Sequence, residues 1–169
     1  MTDTVDKATR SRIMSRVRGK NSAPEMVLRK ALFARGFRYR LHVRGLPGKP
    51  DLVLQKHKAI IFINGCFWHW HGCRRSRLPS DNASYWQAKI KRNQERDRAN
   101  YAALLADGWR ILIMWECALD VKMRDEATRR VESWLMKPKS ATKCCQIEPA
   151  ASDGTPHRRL CVSALQAQP

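Results

Sequence analysis

Nine consecutive residues, Gly65–Cys73, concentrate side chains that could do chemistry. The segment carries two glycines, two cysteines, two histidines and three large aromatic residues. Thiolates and imidazoles at close spacing are typical zinc ligands. Large aromatic rings among them have a second use, because they can stack on nucleic-acid bases or wedge between them. This composition favours a functional loop over ordinary core.

The cysteines and histidines of this loop predict a zinc site. Cys66, His71 and Cys73 could supply three ligands, and Cys117, directly after a buried strand, is the best candidate for the fourth. Four nitrogen and sulfur ligands describe structural zinc, which has no open position for a substrate. The alternative is buried free cysteines with surface histidines. His69 and His71 have the same parity as Cys73, so spacing alone does not decide which of them binds the metal.

Three carboxylates could contribute to a second site. Asp51 lies at the start of a short strand, where it could hold Mg²⁺, or it could be an ordinary turn aspartate. Glu25 sits three residues after Ser22 and is typical of a capping box, so composition gives it no metal role. Asp97 shares a helix face with Tyr101 and with apolar residues and would point inward toward a partner, for which histidine is one option. In the alternative interpretation, Asp97 is one surface charge among many.

The charge balance predicts a polyanionic partner. The chain has 33 Lys and Arg against 15 Asp and Glu, a formal net charge of +18. Such an excess favours nucleic acid and salt-sensitive binding. A membrane surface is the competing partner, but the sequence has no long apolar segment, no amphipathic anchor and no signal peptide at its start. We therefore expect a cytoplasmic protein with no membrane association.

Three further cysteines, Cys144, Cys145 and Cys161, lie near the end of the chain. We do not interpret the six cysteines as a disulfide scaffold, because cytosolic thiols beside histidines are more often metal ligands. A redox-sensing thiol protein, with a Cys66–Cys73 disulfide in place of zinc, is a weaker alternative.

Composition divides the chain into three parts. Residues 1–20 form a basic arm, 21–136 carry the periodic segments of one domain, and 137–169 are rich in Pro, Ser, Lys and Gln and are expected to be disordered. Three helices are predicted. The first is capped by Ser22 and ended by Gly36, the second covers residues 83–107, and the third covers residues 124–136. The predicted strands cover residues 37–43, 51–54, 59–63 and 109–115. This order describes a mixed α/β domain whose sheet is covered by helices.

Several motifs together resemble the very short patch repair endonuclease family over residues 6–136. They are Asp6-Lys-Ala-Thr-Arg-Ser11 with Met14, Leu46-Pro-Gly-Lys-Pro-Asp51, Ile61-Phe62, Gly65-Cys-Phe-Trp-His69, His71, Cys73, Asn93 with Glu95-Arg-Asp97, Gly108-Trp-Arg110 and Trp115-Glu-Cys-Ala-Leu119. The combination is much more specific than any single motif.

The resemblance implies a mixed sheet related to type II restriction endonucleases. It implies a bacterial, DNA-associated enzyme that nicks double-stranded DNA 5′ of the thymine in a T·G mismatch, as arises when 5-methylcytosine deaminates. Such nicking initiates very short patch repair, which links the protein functionally to a cytosine-5 DNA methyltransferase and to repair enzymes. We expect a monomer. The alternative class is a non-catalytic, zinc-containing DNA-binding module, which would leave Asp51 and His69 without a role.

The resemblance also assigns residues. It implies two Mg²⁺ ions at Asp51 and the backbone carbonyl of Ile63, with His69 as general base and Glu25 and Asp97 in support. The remaining assignments are one structural zinc and a DNA-contacting set. The zinc ligands would be Cys66, His71, Cys73 and Cys117, and the DNA contacts would be Phe67, Trp68 and Trp86, which open the duplex, with Met14.

Three positions depart from the family pattern. Ile63 stands where many members carry threonine, which matters little if only the carbonyl binds metal. Asn64 and Trp70 stand where relatives carry histidine, so the sequence leaves their roles open. The Glu-x-Lys element of related nucleases is absent after Asp51.

Overall fold

The computed structural model describes residues 20–80, 82–138 and 143–149, together with Thr9 and Arg12. Within these residues a four-stranded mixed sheet is accompanied by three α-helices, so the predicted mixed α/β class is confirmed. In chain order the elements are α1 (Ala23–Ala34), β1 (Leu52–Leu54), β2 (Ala59–Asn64), α2 (Ala83–Ala106), β3 (Arg110–Trp115), α3 (Arg124–Met136) and β4 (Cys144–Ile147).

The first helix begins where its local sequence predicts. The Glu25 backbone N–H donates to Ser22 Oγ at 3.4 Å, and the Ser22 N–H donates back to Glu25 Oε2 at 3.3 Å. This reciprocal capping box satisfies two donors that the helix cannot pair internally. The helix then buries Leu28 and Leu32 completely.

The sheet topology places the ends of two strands side by side. The strand order is β1-β2-β3-β4, with β1 antiparallel to β2 and the other two pairings parallel. Asn64 at the end of β2 pairs with Trp115 at the end of β3. Because parallel strands finish at the same edge, the loop after β2 and Cys117 after β3 emerge together.

Helices cover both faces of this sheet. Leu112 and Met114 of β3 belong to an apolar cluster with residues of α1 and α3, whereas Ile111 and Ile113 belong to one with residues of α2. Alternate residues of a strand point to opposite faces, so the wholly buried strand β3 is the centre of the fold. The helix α2 consequently lies over one face, beside the edge where the loop emerges.

Two expectations differ from the structure. The strand predicted over residues 37–43 is wrong, since the segment contributes only an isolated bridge between Arg40 and Val53. His42 adopts a left-handed backbone, with φ of 52°, which prevents an extended run. The disorder expected from residue 137 is interrupted by β4, which pairs with β3 and buries Ile147.

Other expectations fall outside the described residues. Met14, most of the basic arm 1–20 and the tail from residue 150 onward lie there. Among the residues that are described, none of the helices combines the length and apolar character needed to cross a membrane.

Candidate active site and metal centre

The four residues predicted to bind zinc meet at the edge of the sheet. The ligand atoms of Cys66, His71, Cys73 and Cys117 all lie within 4.8 Å of one another. His71 Nδ1 is 3.6 Å from Cys66 Sγ and 3.4 Å from Cys117 Sγ. Tetrahedral zinc with bonds of about 2.0 to 2.3 Å separates a nitrogen and a sulfur ligand by roughly 3.5 Å, so the spacing fits a metal ion of this kind.

The second nitrogen of His71 has a partner that sequence reasoning missed. His71 Nε2 lies 3.0 Å from Glu148 Oε2, and the imidazole stacks on the Trp115 ring with centroids 4.3 Å apart. A carboxylate on the outer nitrogen holds the inner one toward a metal, as second-shell carboxylates do in zinc sites. Glu148 follows β4 directly, and Arg130 donates to its backbone oxygen at 2.8 Å.

Without a metal ion, Cys66 and His71 of this cluster favour their protonated forms. Hydrogen bonding to Cys117, followed by burial, raises the pKa of the Cys66 thiol. Burial lowers the pKa of His71, but its hydrogen bonds to Cys66 and Glu148 outweigh that effect and raise it to about 9. A positive metal ion reverses this balance, because it stabilises thiolates and neutral imidazole.

A cleft beside the zinc-ligand cluster collects the residues predicted for catalysis. It has a volume of about 680 Å³, and its walls come from α1, the turn that ends at Asp51 just before β1, the end of β2, the loop and α2. The predicted residues that line it are Glu25, Asp51, Ile63, His69 and Asp97.

The two histidines of the loop therefore lie in different sites. His71 joins the thiols, whereas His69 Nδ1 lies 2.5 Å from Asp97 Oδ2. The inward partner expected for Asp97 is thus His69, 28 residues earlier in the chain. Since Asp97 occupies Nδ1, Nε2 is the nitrogen of His69 that remains for chemistry in the cleft. The side chain of His69 is 22% exposed, compared with 0% for His71.

Asp51 is a half-buried carboxylate that lies close enough to Glu25 to feel its charge. Its Oδ2 accepts a hydrogen bond from the Ile63 N–H at 2.7 Å. Burial raises the pKa of Asp51 to about 6, assisted by the negative charge of Glu25 and opposed by the Ile63 hydrogen bond. Glu25 keeps its capping role, and it also pairs with Arg29 at 3.2 Å. Oxygen donors that repel one another fit a hard divalent cation, which would neutralise them.

Three polar side chains of α2 hold the end of β2 and the loop. Asn93 donates to the Trp68 carbonyl at 3.0 Å, and Asp97 pairs with His69. Tyr101 accepts a hydrogen bond from Asn64 Nδ2 at 3.1 Å. These residues are spaced at four, so one face of the helix makes all three contacts. Sequence reasoning placed Tyr101 on this face but assigned it no partner.

The aromatic residues of the loop form one cluster with α2. Ring centroids lie 5.1 Å apart for Phe67 and Trp68, 5.2 Å for Phe67 and Trp86, and 6.0 Å for Trp68 and Trp86. Trp86 is only 6% exposed, whereas Tyr85 beside it is 53% exposed. Lys89 Nζ lies 5.2 Å from the Trp68 ring centre, a cation–π distance. Sequence reasoning did not single out Tyr85 or Lys89.

Fold and site together describe a mixed α/β protein with a Cys/His cluster that could hold a metal ion and a separate acidic cleft. The sequence profile of the family described as DNA mismatch endonuclease Vsr matches residues 2–75.

Relatives match over more of the chain. A type II nicking enzyme, V.XorIIP, of Xanthomonas oryzae pv. oryzae is 44% identical over 70% of this chain and 88% of its own. The DNA mismatch endonuclease Vsr of Escherichia coli is 42% identical over 80% of this chain and 88% of its own. A type II nicking enzyme, V.NmeAIP, of Neisseria meningitidis serogroup A is 42% identical over 72% of this chain and 87% of its own. The chain belongs to the Vsr DNA mismatch endonuclease family.

Proposed function

We propose that this protein is a Mg²⁺-dependent endonuclease that nicks DNA 5′ of the thymine in T·G mismatches and so initiates very short patch repair. The observation that carries the proposal is the cleft, which is lined both by the His69–Asp97 pair and by the half-buried Asp51. The relatives, which are named as nicking enzymes and a mismatch endonuclease, support the same activity. We further propose that the domain has the type II restriction endonuclease-like fold.

In this proposal Asp51 and the carbonyl of Ile63 hold two Mg²⁺ ions. When bound, these ions would polarise the scissile phosphate and stabilise charge on the attacking and leaving oxygens. Glu25 is 2% exposed, lines the same cleft and adds negative charge beside Asp51.

His69 acts as the general base. Its Nε2 accepts the proton of the attacking water, which imidazole can do near neutral pH. Asp97 holds the Nδ1–H, selects the tautomer with Nε2 free and stabilises the imidazolium that forms. The His69 backbone N–H donates to the Gly65 carbonyl at 3.2 Å, which fixes the start of the loop.

The cluster of Cys66, His71, Cys73 and Cys117 holds one structural zinc ion. The donor set of three thiols and one imidazole suits zinc and leaves no open coordination position. Ligands at Cys66 and His71 bracket the catalytic histidine on both sides, so the metal would restrict the loop that carries it.

The DNA partner is a duplex containing a T·G mismatch, bound by a monomer. The charge of +18 supplies attraction to phosphates. Phe67, Trp68 and Trp86 open the duplex beside the mismatch, with Met14 contributing from the arm. A mismatched pair costs less to unstack, so this wedge also contributes selectivity. The origin of such mismatches in deaminated 5-methylcytosine implies a functional link to a cytosine-5 DNA methyltransferase.

The test is a nicking assay on a T·G duplex and on the matched T·A duplex with Mg²⁺. We expect the wild type to cut only the T·G duplex, in the strand that carries the mismatched thymine and 5′ of that thymine. We expect Asp51→Ala and His69→Ala to bind this duplex without cutting it. His42→Asn is the matched control, because His42 is an exposed histidine outside the cleft whose left-handed backbone asparagine tolerates. A wild type that binds the duplex but never cuts it would be a zinc-containing DNA-binding module instead.

A further inference from the structure

Tyr101 places a buried hydroxyl in the wall of the cleft. The residue lies one helical turn beyond Asp97 on α2, is 3% exposed and lines the same cavity as Asp51 and His69. A tyrosine that served only the core would direct its ring into apolar packing and its hydroxyl to a fixed protein acceptor. Here the residue lines the cleft, and its hydroxyl accepts a hydrogen bond from Asn64.

The position of this hydroxyl is tightly held. The Tyr101 ring packs against Phe62 with centroids 5.0 Å apart, which restricts the ring. Asn64, itself 4% exposed, donates its Nδ2–H to the hydroxyl oxygen at 3.1 Å. Asn64 is the last residue of β2, where its backbone is paired with Trp115. Helix and sheet therefore locate the oxygen together.

The direction of the Asn64 hydrogen bond determines what Tyr101 can do. Because Asn64 is the donor, the tyrosine keeps its own O–H proton to give. Among the described residues, that proton has no acceptor, so it is left for a group in the cleft. Burial, together with the charges of Asp97 and Asp51, raises the pKa of Tyr101 well above its ordinary value. The hydroxyl therefore stays protonated and remains a donor at neutral pH.

We propose that Tyr101 is a further catalytic residue, whose hydroxyl donates a hydrogen bond to a non-bridging oxygen of the scissile DNA phosphate. The inference rests on the proposed nicking function and deepens it. A rigid donor aimed at an oxygen that gains charge stabilises the transition state more than the ground state. Asn64, which stands where relatives often carry histidine, is a positioning residue that acts through Tyr101.

The experiment compares Tyr101→Phe with wild type in single-turnover nicking of a T·G duplex. The variant removes one oxygen and keeps the ring against Phe62. We expect the nicking rate to fall by about 10- to 100-fold, whereas the duplex Kd changes by less than about threefold. Tyr39→Phe is the matched control, because its hydroxyl bonds the Arg29 carbonyl at 3.0 Å and does not line the cleft. It should cut at the wild-type rate.

Sulfur substitution at the scissile phosphate separates a catalytic role from a structural one. Replacing the contacted non-bridging oxygen by sulfur weakens its hydrogen bond, so one phosphorothioate diastereomer should slow the wild type more than it slows Tyr101→Phe. Equal slowing of both proteins by both diastereomers would overturn the assignment, as would a variant that cuts at the wild-type rate. A wild type that fails to cut any T·G duplex would overturn the proposed function itself, and with it this inference.

Discussion

The cluster of predicted zinc ligands and the acidic cleft share one loop, but they differ in burial and in access to solvent. In the cluster, Cys66 and His71 are 0% and 1% exposed, and their polar atoms face one another. In the cleft, His69 stays partly exposed and its partner Asp97 comes from a helix on the face of the sheet. A closed site can only stabilise, whereas an open site can admit a phosphate. Two histidines that are two residues apart thus meet different carboxylates, Asp97 for His69 and Glu148 for His71, and this difference supports the separate roles proposed for them.

The largest separation between the two regions should come from Asp51→Ala. We expect nicking of a T·G duplex to fall by about 1,000-fold or more, because the buried carboxylate that would bind Mg²⁺ is gone. Zinc content, measured by elemental analysis, should remain at the wild-type value. Loss of zinc from this variant would mean that cleft and cluster are one cooperative unit, contrary to the comparison.

Cys117→Ala should break the cluster. Removing a ligand that lies 3.4 Å from His71 Nδ1 should weaken zinc binding by roughly 1,000-fold. It should also lower the midpoint of thermal unfolding, because the free energy of zinc binding adds to the free energy of folding. Cys145→Ala is the control, since Cys145 is outside the cluster and only partly buried. Full retention of one zinc per chain by Cys117→Ala would contradict the ligand assignment.

Asp97→Asn should affect the cleft alone. The amide keeps the size of the carboxylate but no longer stabilises an imidazolium at His69, so we expect nicking to slow by about 100-fold. Circular dichroism melting and zinc content should stay near wild type. If the rate were unchanged, His69 would not be acting as a base that Asp97 supports.

Glu148→Gln should weaken the cluster without affecting the cleft. Loss of the charge next to His71 Nε2 should weaken zinc binding by about tenfold in chelator competition, while leaving the nicking rate of the zinc-loaded protein nearly unchanged. Glu132→Gln, at a half-exposed ion pair with Arg35, provides the matched control. Equal zinc affinities for both variants would show that the Glu148 contact has no effect on the metal.

The smallest effect concerns stability without Mg²⁺. Burial raises the pKa of Asp51 to about 6, so its protonated form favours folding; that contribution is full below about pH 4 and is lost as pH rises through about 6. Asp51→Asn should therefore stabilise the zinc-loaded protein at pH 7 by about 1 kcal/mol, with the difference shrinking toward pH 4. Thermal melts in buffers free of Mg²⁺ measure it. A less stable variant at pH 7 would contradict the buried-charge account.

Local signals in the sequence predicted much of the scaffold. The capping box at Ser22 and Glu25 predicted the start of α1, and apolar spacing predicted α3 as Arg124–Met136. The pattern along α2 predicted the face that carries Asp97 and Tyr101. Such features depend on residues three or four positions apart, so they can be interpreted without knowledge of the fold.

The sequence by itself thus determined the helices, the central strand and the residue types of the metal cluster. Only the tertiary structure decided the pairings: β4 on β3, Tyr101 with Asn64, 37 residues away, and Glu148 with His71, 77 residues away. From the sequence, only the family resemblance separated the proposed roles of His69 and His71, and the structure adds a different carboxylate partner for each. The reason is physical, because hydrogen-bond partners across a sheet are set by strand order and helix placement, and no local periodicity encodes either.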